Sequence, residues 1–285
     1  MFYDLNVSYG KDADATKIEA IVNRLKELKF HRICVSTESF GKVPKTRNED
    51  AIAAIGKLNE EKSKEKDVRI GKQPPVVLSR ITIIGENLSE FQGISTKNEI
   101  LRSFDLVVAS PRTQQTFKYC CCECAGIDII SIDSEQRLPY VLNRSDVDTA
   151  IKRGVHFEIT YAGAVQDASQ RRYFISNAMA LVRVTRGRNI IISSGAHKLS
   201  LLRSPYDALN LGVLVGLSFE QARACLSTNC ERVLEHAKTR SLHKGFVRVE
   251  STQDLEDDSW MKTDSIGAML SSERSASSAK EFIRL

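Results

Sequence analysis

The residues of this chain that could bind metal ions or move protons are few. The 285-residue chain has 5 histidines, and only His197 directly follows a predicted strand, where parallel strands present their functional side chains. Glu158 lies inside another predicted strand. Hydrolysis by two or three metal ions needs several histidines and carboxylates that converge at the ends of strands. One histidine and one glutamate are a poor set of ligands, so catalysis at a metal site of this chain is not expected.

The cysteines predict neither disulfide bonds nor a clear metal site. There are 7, an odd number, and three are adjacent at Cys120–Cys122, unlike the evenly spaced framework of a secreted disulfide protein. Cys121 and Cys124 form a C-x-x-C pair, but no second pair has zinc spacing. Free thiols in a reducing compartment are the simpler interpretation, and a structural zinc site is the alternative.

The distribution of charge favours a polyanionic partner. The net charge is +5, and residues 1–240 carry 35 basic and 28 acidic side chains. Between Lys152 and Arg203 there are nine basic residues against only Glu158 and Asp167, so this stretch accounts for the whole excess of residues 1–240. Such a local excess suits contacts with phosphates and the release of counterions. A set of solvated helix faces would explain the charge equally well.

Short β-branched runs alternate with longer helical patterns along the chain. Apolar residues 18, 21, 22, 25 and 28 recur at helical spacing after a predicted cap at Asp14. Repeated strand–helix units need parallel strands with crossover helices, which predicts an α/β protein. The pattern alone leaves both an irregular (β/α) barrel and an open doubly wound sheet possible. Seven segments are strand candidates: Phe2–Val7, His31–Ser36, Val76–Ile84, Asp105–Ala109, Ile127–Ile132, Val155–Tyr161 and Asn189–Ser193.

Helix-capping patterns mark the end of the folded domain. Ser204 precedes Pro205 as a cap does, and Ser218 and Thr228 each begin a capping-box spacing. These helices close a domain predicted to span residues 1–240. The charged run Glu60–Lys72 is predicted to be a helix end and an exposed loop.

The remaining segment, residues 241–285, is polar and serine-rich, so it is predicted to be a disordered tail or one that orders on binding. No apolar run approaches the roughly 18 residues that cross a bilayer, and the N-terminus lacks the pattern of a signal peptide. A location inside the cell is therefore expected, without a membrane partner.

The opening stretch FYDLNVSYG resembles the first strand of the polymerase-and-histidinol-phosphatase family of metal-dependent phosphoesterases. That family's strand has the form D-L-H-x-H, but its two histidine positions are Asn6 and Ser8 here. The stretch IISSGAHKLSLL is similar to the family's late strand ending in S-D-A-H, with Gly195 at the aspartate position. Glu158 matches a carboxylate that the family also uses. The resemblance implies a barrel that has kept its fold signature and lost most of its metal ligands.

A second resemblance is more specific and covers about residues 1–240, without the charged run. The segments RLPYVL, GVHFEITYAGAVQDASQRRYFISNAMALVRVTRGRNIIISSGA and SPYDALNLGVLVGLSFEQARACLSTNCERVL closely resemble the barrel-fold protein subunit of archaeal and eukaryotic ribonuclease P, which ribonuclease MRP shares. The earlier segments FYDLNV, SRITII and SFDLVVASP are similar to the same family.

This second resemblance implies a fold and a set of partners. The fold would be a TIM-like (β/α) barrel with about seven parallel strands and extra C-terminal helices. The catalyst would be the RNA with its own Mg²⁺, so this chain would need no cofactor and would have no catalytic residue. Its partners would be ribonuclease P RNA, MRP RNA, a small RNA-recognition-like subunit, other ribonuclease P/MRP proteins and, indirectly, precursor tRNA. The location would be the nucleus, in the nucleolus.

Arginines and a lysine near one end of the predicted barrel are the candidates for RNA binding. A helix starting near Ser169 carries Arg171 and Arg172 in its first turn, where backbone donors and guanidinium groups suit a phosphate. Lys198 and Arg203 follow the seventh strand and are predicted to approach the same rim. Arg183 and Arg186 are weaker candidates, which helical spacing places on one face with Arg172, within about 60°. Arg188 is also weaker, because it precedes the seventh strand and so belongs at the opposite end of the barrel.

These observations support one leading hypothesis and two alternatives. The leading hypothesis is an RNA-binding, non-catalytic subunit of ribonuclease P and MRP, which supports removal of the 5′ leader of precursor tRNA and processing of ribosomal RNA precursors. The first alternative is a metal-dependent phosphoesterase or nuclease that acts on its own. The second is a barrel that serves only protein–protein assembly.

Overall fold

The computed structural model of the chain describes residues 1–9, 15–44, 55, 56, 58, 59 and 76–241. Three sequence predictions lie outside these residues: the cap at Asp14, the charged run Glu60–Lys72, and the disordered tail, of which only Ser241 is described. No helix in the described part of the chain is both long and apolar enough to span a membrane.

All seven predicted strands are present, and they form one sheet of parallel strands in chain order. Each boundary lies within a few residues of its prediction; the largest extension carries the second strand to Phe40. The strands are β1 (Tyr3–Tyr9), β2 (Arg32–Phe40), β3 (Val76–Gly85), β4 (Leu106–Pro111), β5 (Ile129–Ile132), β6 (His156–Thr160) and β7 (Ile190–Ser193).

The sheet curls into a nearly closed barrel. The amide of Gly195, just after β7, donates to the carbonyl of Asn6 at 2.8 Å, and the amide of Ser8 donates to the carbonyl of Ala196 at 3.1 Å. Val7 and Ala196 thereby form a short parallel bridge between the first strand and the segment that follows the last. Because the two edges of the sheet pair with each other, the open doubly wound alternative is wrong and the irregular TIM-like barrel is confirmed.

Helices cover the outer face of the barrel. In α1, the apolar stripe predicted from spacing is buried at Ile18, Ile21, Val22 and Leu25. Transfer of each such side chain from water stabilises the fold by about 1.5–3 kcal/mol. The helices are α1 (Ala15–Glu27), α2 (Leu88–Gln92), α3 (Glu99–Arg102), α4 (Gln114–Cys122), α5 (Arg144–Lys152), α6 (Ala162–Gln166), α7 (Ala168–Thr185), α8 (Pro205–Leu214), α9 (Phe219–Cys225) and α10 (Thr228–Ser241).

The predicted caps of the last helices are confirmed at two of three positions. The Ser204 and Ser218 side chains accept from the amides of Asp207 and Gln221, and both caps are complete capping boxes. Thr228 is instead the first helical residue of α10. Its predicted partner Glu231 accepts a hydrogen bond from the Tyr3 hydroxyl at 2.8 Å, so this side chain ties the helix to β1 rather than capping it.

The last helix closes the end of the barrel at which the strands begin. A cluster of buried side chains joins the strand interiors to α10: Tyr3, Leu5, Cys34, Leu106, Val108, Ile129, Ile191, Cys230, Val233, Leu234 and Ala237. The buried Asp128 carboxylate, just before β5, accepts from the Arg240 guanidinium at 3.0 and 3.1 Å. The same carboxylate also contacts the His236 ring at 2.9 Å and accepts from the Val107 amide at 3.0 Å. The end of the barrel at which the strands begin is therefore covered by α10 and closed to solvent. The opposite end, where the strands finish, remains open for a functional site.

Candidate nucleic-acid interface

The centre of the barrel is occupied by an ion pair rather than by an open set of ligands. Arg80, from β3, and Glu158, from β6, are both fully buried. Two parallel hydrogen bonds of 2.5 Å join the guanidinium nitrogens to the carboxylate oxygens. A planar guanidinium matches a carboxylate in this way, and the pairing is among the strongest that side chains form.

Neighbouring polar groups form further hydrogen bonds with Arg80 and Glu158. The Ser193 hydroxyl donates to Glu158 Oε1 at 2.6 Å, and Arg80 donates to the Leu5 carbonyl at 2.8 Å and to Thr82 Oγ1 at 3.1 Å. Burial alone would raise the pKa of Glu158. The charge of Arg80 and the hydrogen bonds from Arg80, Ser193 and Ser131 instead hold this pKa below its usual value. Glu158 is thus a buried carboxylate with its own cation, and it is not a free metal ligand.

A second buried carboxylate, Asp4, lies beside this pair. Asp4 Oδ1 accepts from the amides of Ser194 at 3.0 Å and Asn6 at 3.2 Å, whereas its Oδ2 has no hydrogen-bond partner among the described residues. Burial raises the pKa of Asp4 to about 6, and the nearby charge of Glu158 adds to that rise. A carboxyl group in this environment is easily protonated.

Above the ion pair, the mouth of the barrel forms an open polar cavity of about 290 Å³. The residues that stand at the metal-ligand positions of the phosphoesterases, Asn6, Ser8, Gly195 and His197, all line it. They meet at one place, as residues at the ends of parallel strands do. Among the described residues, no group of three or more histidines, cysteines, aspartates and glutamates is arranged to hold a metal ion.

Gly195 is fixed at this mouth by its backbone. Its φ of +64° lies in the left-handed region, and an added Cβ would come within 3.1 Å of the Thr160 Cβ. A side chain there would be strained in φ and crowded by β6. The backbone conformation and the contact with Thr160 therefore favour glycine at this position. Glycine also has no side chain that could bind a metal ion.

Two of the predicted rim residues meet beside the mouth. Arg171 and Arg203 line one cavity of about 210 Å³, together with apolar residues of α7 and α8 that include Phe174, Leu211 and Leu214. Both guanidinium groups are partly engaged. Arg171 Nε donates to the Ala164 carbonyl at 2.8 Å. Arg203 Nη1 donates to the carbonyls of Ser200 and Leu202. The other N–H groups of the two guanidinium groups make no hydrogen bond to the described residues and can bind a phosphate.

The N-terminus of α7 already has an anion. The Asp167 carboxylate caps it by accepting from the amides of Ser169 at 2.8 Å and Gln170 at 3.0 Å. These hydrogen bonds lower the pKa of Asp167. The expectation that free backbone donors of this helix would bind phosphate is therefore wrong, and any phosphate contact there depends on the arginine side chains.

The other basic residues divide into exposed and engaged groups. Arg172, Arg183, Arg186 and Lys198 are exposed. Arg186 leaves the helix at its C-cap with a φ of +58°, so it does not continue the face of Arg172 as helical spacing predicted.

Two further basic residues serve the fold. Arg188 forms an ion pair of 2.8 Å with Asp148. Arg153 donates to backbone carbonyls of the cysteine-rich segment, which are those of Cys120, Cys121 and Cys124. These thiols are free and buried, and burial raises the pKa of Cys124 to about 11, so they pack rather than react.

Comparison with known proteins decides the family. The profile of the family described as RNase P subunit p30 matches residues 1–242. The chain belongs to that p30 family. The probable ribonuclease P protein subunit 3 of Schizosaccharomyces pombe is 31% identical to it over 244 residues, which are 84% of this chain and 95% of the relative.

Two further similarities extend the comparison. The Arabidopsis thaliana protein GAMETOPHYTE DEFECTIVE 1 is 43% identical over 173 residues, which are 60% of this chain but only 30% of that protein. A chain in a cryo-EM structure of archaeal ribonuclease P with mature tRNA superposes with a TM-score of 0.59 at 14% identity, covering 87% of this chain and 98% of that one. This last similarity shows that the fold is shared.

Sequence reasoning on this p30 family member missed the residue that fills the barrel centre. Arg80 lies in the strand SRITII, where a charged residue interrupts an apolar run. That interruption was the available signal, because an arginine inside a barrel strand must have an anionic partner. Its partner, Glu158, was singled out for a different role, as a vestigial metal ligand.

Proposed function

We propose that this chain is a non-catalytic, RNA-binding subunit of nuclear ribonuclease P, shared with ribonuclease MRP. In this proposal it supports removal of the 5′ leader from precursor tRNA and processing of ribosomal RNA precursors, while RNA with bound Mg²⁺ performs the cleavage. The proposal rests on membership of the p30 family across residues 1–242. It extends to a nucleolar location and to a small RNA-recognition-like protein partner.

The barrel centre supports a non-catalytic role. Metal-assisted hydrolysis needs carboxylates that are open to an ion and to water. Glu158 instead has both oxygens paired with Arg80 and is closed to solvent. Removing such a carboxylate from its guanidinium would leave two buried charges unpaired, at a cost of several kcal/mol. A metal ion therefore cannot recruit Glu158 without disrupting the barrel.

The exposed basic residues support the RNA-binding role. Arg172 and Lys198 lie on segments that follow strands β6 and β7, at the end of the barrel where the polar mouth opens. Phosphate contacts by such residues position RNA without reading its sequence. The proposed interface consists of Arg171, Arg172, Lys198 and Arg203, with Arg183 and Arg186 as secondary contacts.

An apolar surface favours an additional contact with protein. Side chains of α8 and α9 are exposed, including Tyr206 at 65%, Leu214 at 60% and Phe219 at 60%. Contiguous exposed apolar patches mark interaction sites. We propose that other proteins of the particle cover them, so that the chain joins RNA to protein rather than serving assembly alone.

The proposal is tested by capturing the tagged chain from cells and sequencing the RNA that accompanies it. One or two abundant structured RNAs are expected, and the captured material should cleave the 5′ leader from precursor tRNA. Capture without a structured RNA contradicts the proposal.

The metal-dependent alternative needs a separate measurement. The purified chain with Mn²⁺ or Zn²⁺ should show no phosphodiesterase activity. Activity that is present, and is lost in the His197→Ala variant, would favour a stand-alone hydrolase.

A further inference from the structure

The mouth of the barrel has an electrostatic character opposite to that of the surface beside it. Its lining includes the carboxylates of Glu38, Asp133 and Glu135 against a single arginine, Arg112. Arg112 is already paired with Asp133. A phosphate would therefore meet net negative charge inside the mouth, although the exposed basic residues lie close to it along the chain.

The Glu38 carboxylate is available to a ligand. Glu38 is exposed and makes no hydrogen bond or ion pair to any residue that the structure describes. It lies on β2 beyond Thr37, the last residue of that strand that pairs with β1. β2 and β3 continue together to the Phe40–Ile84 pair, and β4 accompanies β3 as far as Pro111, so the three strands form a wall that extends beyond the last β1–β2 pair.

This wall carries an aromatic ring beside the carboxylate. Residues two apart on a strand face the same side, and Glu38 and Phe40 both line the cavity. Phe40 is 66% exposed, which is an uncommon exposure for a phenylalanine. A flat apolar face beside a free hydrogen-bond acceptor is the arrangement by which proteins hold an unpaired nucleobase.

We propose that the barrel mouth binds one unpaired purine base of an RNA, guanine in particular, stacked on Phe40 and hydrogen-bonded to Glu38. Guanine presents two adjacent N–H donors on its Watson–Crick edge, which match the two oxygens of one carboxylate. Uracil presents one donor between two carbonyl oxygens, which a carboxylate repels. The cavity of about 290 Å³ admits a base but not a duplex. The phosphates remain outside, towards Lys198, which directly follows the lining residue His197.

This inference rests on the proposed RNA-binding function, and it adds a base-specific contact to it. The test compares two fluorescent heptamers, UUUGUUU and UUUUUUU, by anisotropy titration with the purified full-length chain. The guanine-containing heptamer should bind about tenfold more tightly. Phe40→Ala and Glu38→Gln should each remove most of that difference, since each removes one of the two contacts.

A matched control lies away from the mouth. Glu220→Gln makes the same change as Glu38→Gln at an exposed position at the start of α9, and it should keep the preference for guanine. Equal affinity of the unmodified chain for both heptamers overturns the inference. A preference that persists in both Phe40→Ala and Glu38→Gln overturns it as well.

A precursor tRNA titrated in parallel separates this inference from the proposed function. Binding of that RNA without any preference between the heptamers rejects the base site and leaves the proposed function standing. Absence of binding to every RNA rejects both.

Discussion

At the scale of single residues, Arg80 does in this barrel what a metal ion does in a metal-dependent one. It neutralises Glu158 and orients it through two hydrogen bonds of 2.5 Å. Unlike a bound ion, it is covalently part of β3, so it has no open coordination position for water or substrate. The ion pair thereby fixes two opposite strands of the barrel and offers no chemistry.

Replacement of Arg80 by methionine should lower the free energy of unfolding by about 3–5 kcal/mol, because it leaves the Glu158 carboxylate buried without a cation. The Arg80→Met/Glu158→Gln double variant should recover a large part of this loss, since neither charge of the pair is then left buried. Urea unfolding followed by circular dichroism measures both values. Equal stabilities of the single and double variants would show that the charge of Glu158 is not what the arginine stabilises.

Asp4 should make stability depend on pH in the opposite direction from Glu158. Its pKa is raised to about 6, so between about pH 4 and pH 6 the folded chain keeps a proton that the unfolded chain has released. The free energy of unfolding therefore falls as pH rises through this window, by roughly 3 kcal/mol in total. Glu158, with its lowered pKa, contributes stability above its unfolded pKa and loses it only as pH falls through the lower folded value.

The Asp4→Asn variant isolates this contribution. An asparagine oxygen still accepts from the amides of Asn6 and Ser194, and the side chain cannot ionise. The variant should be more stable than the unmodified chain at pH 7.5, and the difference should shrink as pH falls from 6 to 4. Unfolding measured at both ends of the window tests this, and a difference that does not change with pH refutes it.

Gly195→Ala should destabilise the chain by about 1–2 kcal/mol, because alanine is strained at a φ of +64° and its Cβ would crowd Thr160. Gly56 is the matched control, since it is helical and has nothing within 4 Å of an added Cβ. Gly56→Ala should stabilise by about 0.5–1 kcal/mol. Thermal unfolding of both variants compares them, and a loss at Gly56 equal to that at Gly195 would contradict the backbone explanation.

At the scale of elements, most of the fold could be predicted. Seven β-branched runs and the apolar stripe of α1 follow directly from local periodicity, and the caps at Ser204 and Ser218 follow from side-chain hydrogen bonding. Barrel closure could not be derived from that pattern, because it depends on hydrogen bonds between Asn6 and Gly195, which are far apart in sequence. The resemblance to a known family supplied it instead.

The candidate site was predictable only in part, and for a similar reason. The meeting of Asn6, Ser8 and His197 at one mouth follows from the rule that parallel strands end at the same edge. The pairing of Arg80 with Glu158 joins two strands across the barrel interior, and no local spacing encodes it. The capping of α7 by Asp167 agrees with the preference of N-cap positions for aspartate, and it means that the helix start carries an acidic side chain next to the arginines.

One buried polar contact should contribute strongly to the attachment of the last helix, α10, in addition to the apolar face and the Tyr3–Glu231 hydrogen bond. Arg240 is 7% exposed, and it donates to both oxygens of Asp128 and to the carbonyls of Leu101 and Phe104. Arg240→Ala should lower the free energy of unfolding by about 3–5 kcal/mol, because Asp128 stays buried.

A control on the same helix separates this contact from helix propensity. Arg232 is exposed, so Arg232→Ala should change the free energy of unfolding by no more than about 0.5 kcal/mol. Urea unfolding of the two variants measures the contrast, and similar stabilities would mean that α10 is held by its apolar face alone.

At the scale of the whole molecule, the positive charge is placed unevenly, and that placement makes RNA binding testable. Arg171 and Arg172 lie at the start of α7, on the side of the barrel mouth, whereas Lys152 lies at the end of α5 and Arg232 lies in α10, which closes the other end. Both pairs carry two charges, so their removal changes the net charge equally. Only the first pair belongs to the main proposed interface.

Replacement of both Arg171 and Arg172 by alanine should weaken binding to a structured RNA and reduce the slope of log affinity against log salt concentration by up to about 2, because each lost phosphate contact removes somewhat less than one unit. The Lys152→Ala/Arg232→Ala variant should change the slope less. Titrations at several salt concentrations measure both. If the slope falls by the same amount in both variants, the molecule attracts RNA through its overall charge, and the mouth side of the barrel contributes no more than the other end. A larger loss at Arg171 and Arg172 places the phosphate backbone beside the mouth, within reach of the base site formed by Glu38 and Phe40.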